Sequence, residues 1–106
     1  MNDPIAIVLT TVESIDDANR LAADLLEQRL AACIQIDGPI VSHYRWEGKL
    51  QQANEYRLVI KVAASEWPKL SKALSDQHPY DEPGILLLPV ESASQSYQAW
   101  VLRQTK

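Results

Sequence analysis

Cysteine is almost missing from this 106-residue chain: there is one, Cys33, so no disulfide framework can form within it, and the pattern fits a reducing compartment. Glycine is nearly as scarce. The three present, Gly38, Gly48 and Gly84, are too few and too far apart to build a phosphate-cradling loop. The ten lysines and arginines are scattered with no two adjacent, and the net charge is -4, which excludes the clustered cations of a nucleic-acid surface. With two histidines and one cysteine, neither a Ser-His-Asp nor a Cys-His arrangement can be assembled. No apolar run approaches the roughly 20 residues that cross a bilayer. No basic segment followed by an apolar one opens the chain, so a cytoplasmic protein with no membrane or nucleic-acid partner is expected.

What remains is an ordinary globular composition, 46% hydrophobic and 23% charged, in a length that suits one domain over residues 1–106. Ile5 to Thr10 is short, apolar and β-branched, as in a strand buried on both faces. Ser14 stands at an N-cap position with Asp16 and Asp17 behind it, and Ala18, Leu21, Ala22, Leu25, Leu26 and Leu30 follow at helical spacing. Ala32 to Ile36 is again strand-like, Asp37-Gly38-Pro39 punctuates it, and Val41 to Trp46 continues extended. Glu47-Gly48 supplies a tight turn. Tyr56, Leu58, Ile60 and Val62 then alternate with Arg57, Val59 and Lys61, completing a long hairpin. Ser65 opens a second helix with Pro68 in its first turn and a buried stripe of Trp67, Leu70, Ala73 and Leu74, which must end before His78-Pro79. Ile85 to Leu88 forms a last buried strand, with Pro89 pointing to a sheet edge. Ser94 or Ser96 caps a short final helix carrying Tyr97, Trp100, Val101 and Leu102.

The order βαββαβ predicts an α+β, ferredoxin-like sandwich: a four-stranded antiparallel sheet with two helices on one face and a short C-terminal helix. One sheet face then stays uncovered, with Tyr44, Trp46, Tyr56 and Val59 on the hairpin strands. An apolar area of that size predicts self-association through the sheet.

Several separated segments, in order, carry a resemblance over essentially the whole chain. They are Leu30-Ala31-Ala32-Cys33, Tyr44-Arg45-Trp46-Glu47-Gly48-Lys49-Leu50, Glu55 to Lys61, and His78-Pro79-Tyr80 with Pro83, Leu87, Pro89 and Val90. The chain resembles the CutA1 divalent-cation-tolerance proteins. The resemblance implies the ferredoxin-like fold, a homotrimer much like the PII signalling proteins, and a role in divalent metal tolerance. It also implies copper, zinc or another divalent cation as ligand and, for animal relatives, the anchoring of protein partners. In copper-binding relatives a Cys near the end of the first strand and two adjacent His precede the Pro-Tyr pair. The matching positions here are Thr10, Gln77 and His78, so His78 is the metal candidate that remains.

The residues themselves leave alternatives open. His78 offers an imidazole ligand, or fixes the end of the second helix. Tyr44, Trp46, Glu47, Lys49 and Tyr80 line a cleft where subunits meet and take a small ligand there, or simply hold the trimer together. Cys33 is expected as a small core residue and His43 as a strand-surface residue. Glu47 with Lys49 and Asp81 with Glu82 make no catalytic pair, so a non-enzymatic protein is expected. The competing functions are a scaffold trimer, an acylphosphatase-like hydrolase and an RNA-binding fold. The hydrolase needs an anion-cradling Arg where the acidic stretch Thr10-Thr11-Val12-Glu13 stands. The RNA-binding fold needs a basic sheet.

Overall fold

Four strands and three helices follow one another as the hydrophobic periods require: β1 (Ile5–Val12), α1 (Ile15–Glu27), β2 (Cys33–Trp46), β3 (Lys49–Ala63), α2 (Trp67–Gln77), β4 (Ile85–Pro89) and α3 (Gln95–Gln104). The structure, a computed structural model, describes residues 3–105. The strands form one antiparallel sheet in the order β2-β3-β1-β4, the ferredoxin-like arrangement expected from the element order.

The ends of α1 are set locally. Ser14 Oγ accepts the Asp17 N–H at 3.0 Å, with Asp16 and Asp17 in the first turn where carboxylates suit the helix dipole. Past its C-terminus Arg29 takes the left-handed conformation at φ 59°, and Leu30 N–H returns to Leu25 O at 3.0 Å. The entry to α2 differs from the sequence expectation. Ala64–Glu66 forms a 3-10 turn, and the α-helix starts at Trp67, one residue before the proline whose missing N–H the first turn tolerates. Ser94 occupies the N-cap of α3 but makes no side-chain cap bond.

Strand register assigns each side chain to a face, because directly paired antiparallel residues point the same way. Ala6, Val8, Thr10 and Val12 of β1 share a face with Leu58, Ile60 and Val62 of β3. With Leu21 and Leu25 of α1 and Leu70 and Leu74 of α2 they form one core, nearly all of it fully buried. Tyr56 falls on this face and packs on the core; the expectation that it lies on the open face fails because it is in phase with Leu58.

The opposite face carries Ile5, Ile7, Leu9 and Thr11 of β1, Arg57, Val59, Lys61 and Ala63 of β3, and Leu86 and Leu88 of β4. At one end α3 lies against β1 and β3. Ile5, Ala63 and Val101 are buried there, apart from the main core. The rest is bare. β4 is the edge strand to which Pro89 pointed, but it is not the buried strand expected: Leu86 is 62% and Leu88 43% exposed, because only Ile85 and Leu87 reach the helix side. Cys33 pairs with Lys61 on the open face and is half-buried, so it is not the core residue its apolar neighbours suggested.

Beyond β1 the hairpin continues alone. Residues 40–46 and 49–55 pair only with each other, turning at Glu47 (φ 51°) and Gly48 (φ 79°), both left-handed as a two-residue hairpin turn requires. At the base of this ribbon a bulge at Gly38-Pro39 sets two residues of β2 against Tyr56 and shifts the register between Asp37 and Ile40.

Candidate functional site

The bulge decides what the ribbon aims at the sheet. After it, Ile40 pairs with Glu55, Ser42 with Ala53, Tyr44 with Gln51 and Trp46 with Lys49. Ser42, Tyr44, Trp46 and Glu55 therefore share the open face with Thr11. Gly38 holds the shift at φ 144°, and a Cβ there would stand 2.9 Å from both Glu55 O and Tyr56 Cδ2, so the position must stay without a side chain.

These residues line a cleft of about 450 Å³, together with Glu13, Ala53, Tyr80, Asp81, Glu82 and Gly84. At its floor Glu55 is tied by three hydroxyls from three elements. Ser42 Oγ donates to Oε1 at 2.6 Å, while Tyr80 Oη and Thr11 Oγ1 donate to Oε2 at 2.7 and 3.2 Å. Partial burial alone would raise the Glu55 pKa. The hydrogen bonds from Ser42, Tyr80 and Thr11 and the nearby His78 outweigh it and hold the group below its ordinary value, ionised at neutral pH. Burial, and then the bond to Glu55, push the Tyr80 hydroxyl well above its ordinary range, so it stays a donor.

Tyr80 reaches the cleft because His78 anchors its backbone from the other side of the sheet. His78 is 8% exposed and caps α2, its N–H bonding Leu74 O at 2.9 Å. Its Nδ1 accepts the Tyr80 N–H at 3.1 Å. The ring proton must then sit on Nε2, which donates to Thr10 Oγ1 at 3.0 Å. The two rings lie 4.9 Å apart, tilted by 56°. Burial lowers the His78 pKa below 6.5, against the opposing pull of the Thr11 backbone, Asp17 and Glu55. Both nitrogens are thus in use. The Thr10–His78 pair is no nucleophile and base either: Nε2 carries the proton it would need to accept, and Thr10 is only 2% exposed.

Of the residues expected from the sequence, the fold brings Tyr44, Trp46 and Tyr80 together. Glu47 and Lys49 stand at the exposed hairpin tip, outside the cleft lining of this chain. Thr10 meets His78, but Gln77 turns to a separate depression with Leu30, Lys69 and Asp76. His43 is exposed and alternates with Ser42 and Tyr44, away from the cleft. Glu55, Ser42 and Thr11 escaped the sequence reading, since nothing in local spacing links positions 11, 42, 55 and 80. Among the described residues no three of His, Cys, Asp and Glu gather closely enough to hold a metal ion.

The family model for the CutA1 divalent ion tolerance protein matches residues 6–104. The divalent-cation tolerance protein CutA of Pectobacterium atrosepticum is 42% identical over 95 residues, 90% of this chain and 86% of that one. That of Thermus thermophilus is 36% identical over 93% of this chain and 96% of its own. Among solved structures, CutA1 from Oryza sativa superposes with a TM-score of 0.95 at 33% identity, over 99% of this chain and 96% of that one. The Thermus thermophilus protein gives 0.93 at 35% identity, over 96% and 99%.

Proposed function

This chain belongs to the CutA1 divalent ion tolerance family, and from that premise we propose that it works as a PII-like homotrimer whose clefts take up a small cationic ligand. The ligand is a divalent metal ion such as copper or zinc, or an organic cation. The family's name is that of a tolerance protein and not of an enzyme, and the proposed role is non-catalytic binding that reports occupancy to partners.

The observation that carries this reading is the charge of the cleft. Glu13, Glu55, Asp81 and Glu82 line it and no Lys, Arg or His does. Assembly is supported by the bare apolar surface. A two-stranded ribbon is marginal in water by itself, yet outside the cleft this one exposes Val41 and Leu50. The sheet beside it leaves Leu86 and Leu88 uncovered. Copies of the chain satisfy both needs at once, and the cleft, open at the base of the ribbon, then lies between subunits. The alternative, a scaffold trimer that only presents partners, draws on the tip, where Leu50 is 76% exposed.

A native mass spectrum recorded during titration with Cu(II) and Zn(II) tests the proposal. The expected result is a trimer with saturable uptake of up to one ion per chain, reduced in Glu55→Gln. A single-chain mass at micromolar concentration overturns the assembly. Adducts that grow without saturation and ignore Glu55→Gln overturn the metal as occupant.

A further inference from the structure

The walls of the cleft distinguish between kinds of cation. A hard divalent ion wants six or more oxygens, and a zinc or copper ion three or four nitrogen or sulfur ligands, converging at set distances. The described residues gather no such set. The Glu55 carboxylate, the best-placed anion, is already ordered by Ser42, Tyr80 and Thr11. Those hydroxyls orient and solvate its charge but do not cancel it. Of the cations on the same sheet face, Lys49 stands at the exposed hairpin tip outside the cleft lining, and the other two are engaged elsewhere. Arg57 clamps Asp37 through two bonds of 3.2 and 2.9 Å, and Lys61 donates to Gln35. The cleft thus keeps a fixed negative charge beside three aromatic rings, Tyr44, Trp46 and Tyr80. Aromatic faces do nothing for a hydrated metal ion, but they attract an alkylammonium through the ring quadrupole and cover its carbon chain. Tyr44 and Trp46 are 45% and 49% exposed, so their rings are available to such a ligand.

We propose that the cleft binds a small organic ammonium ion, a primary alkylamine of a few carbons, with its –NH3+ on Glu55 Oε1 and its carbon chain along Tyr44 and Trp46. Oε1 takes one protein donor, Ser42, where Oε2 takes two, so it keeps an acceptor position for the ligand. Asp81 and Glu82 at the mouth draw the cation in and disfavour carboxylate or phosphate ligands. A volume of about 450 Å³ lies in the range of small-molecule sites and holds such an amine with its ordering waters. The inference rests on the reading of this cleft as a ligand site and narrows the class of ligand.

Calorimetry on the assembled protein, in excess sodium chloride to screen general surface attraction, tests it with four probes. These are butylammonium, the uncharged alcohol 1-pentanol with one more methylene, the anion butyrate, and Zn(II). Butylammonium is expected to bind saturably, with affinity falling about tenfold or more in Glu55→Gln and in Trp46→Ala. Pentanol and butyrate are expected to give no saturable heat. Because Glu55 also supports the fold, the exposed double variant Asp81→Asn, Glu82→Gln accompanies it at low salt, with an expected weakening for butylammonium that added sodium chloride diminishes. Butylammonium binding no tighter than pentanol, or indifferent to both Glu55→Gln and Trp46→Ala, overturns the inference. Saturable Zn(II) or pentanol binding that depends on Trp46, with none for butylammonium, overturns the ammonium assignment and leaves the cleft a ligand site. Silence from all four probes overturns both.

Discussion

The two faces of the sheet are built from alternate residues of the same strands, yet they differ in almost every property. On the helix side, Ala6, Val8, Val12, Leu58, Ile60 and Val62 meet α1 and α2 with no exposure left. On the other side, their immediate neighbours Ile7, Leu9 and Val59 lie only partly covered, and Leu86 and Leu88 stand in water. Near one end of that open side the ribbon, the Tyr80 loop and Glu55 enclose an acidic, aromatic cleft. One face holds the chain together, and the other carries the surface that the proposed reading gives to copies and ligands.

Adjacent residues of β3 put this contrast to the test. Leu58 is fully buried against the helices, and Leu58→Ala removes its contacts and leaves a cavity. A loss of about 2–5 kcal/mol is expected, read as a lower urea midpoint. Val59 points the other way. Val59→Asp is expected to leave the folded chain with unchanged far-UV circular dichroism while the assembly falls to single-chain mass in native spectra. If Val59→Asp unfolds the chain, or leaves the assembly intact, the division of labour between the faces is wrong.

A smaller effect is expected where the two faces are coupled. Gly38 permits the bulge that turns Ser42, Tyr44 and Trp46 onto the side of Glu55. Gly38→Ala forces a Cβ into Glu55 O and the Tyr56 ring at a φ that L side chains rarely adopt. A destabilisation of about 1–3 kcal/mol follows from strain of this kind. Ligand affinity at the cleft should fall with it, because Glu55 must move. Ala at a neighbouring exposed position such as Gln52 should do neither; an equal effect there would show that the bulge has no special role.

How much of this was legible beforehand follows the same line. Local signals gave the elements and their order: Ser14 as cap, Glu47-Gly48 as turn, the alternation of β3, the end of α2 before His78. From these the topology and the open face followed. Three of the expected cleft residues, Tyr44, Trp46 and Tyr80, do converge. What escaped depends on register. The side on which a strand residue points past a bulge is not contained in its spacing, so Glu55 and Ser42 were missed, while Glu47 and Lys49, three and five residues from Tyr44, end at the tip. Tyr56 was placed on the wrong face although its alternation with Leu58 was visible. Cys33 and β4 depart from the buried expectation because an apolar run alone does not tell a covered sheet face from a bare one.

The mildest perturbation is pH, and it separates the two sides of the Tyr80 loop. His78, on the helix side, has a folded pKa below 6.5, and Glu55, in the cleft, one below 4.5. As pH falls past the ordinary histidine value, the unfolded chain takes up a proton that the folded chain refuses, so stability starts to decline there and is lost through the folded pKa of His78. Protonation also turns Nδ1 into a donor facing the Tyr80 N–H, which breaks the contact that positions the loop. Glu55 contributes later, with stability present above 4.5 and lost as pH falls through its own lower folded value. Urea midpoints taken at constant protein concentration from about pH 8 down to about pH 2 should therefore drop in two stages. His78→Gln should remove the upper stage and Glu55→Gln the lower. A flat profile between about pH 7.5 and 5.5 in the parent chain would show that His78 titrates alike folded and unfolded, and that its bonds to Thr10 and Tyr80 do not hold the loop.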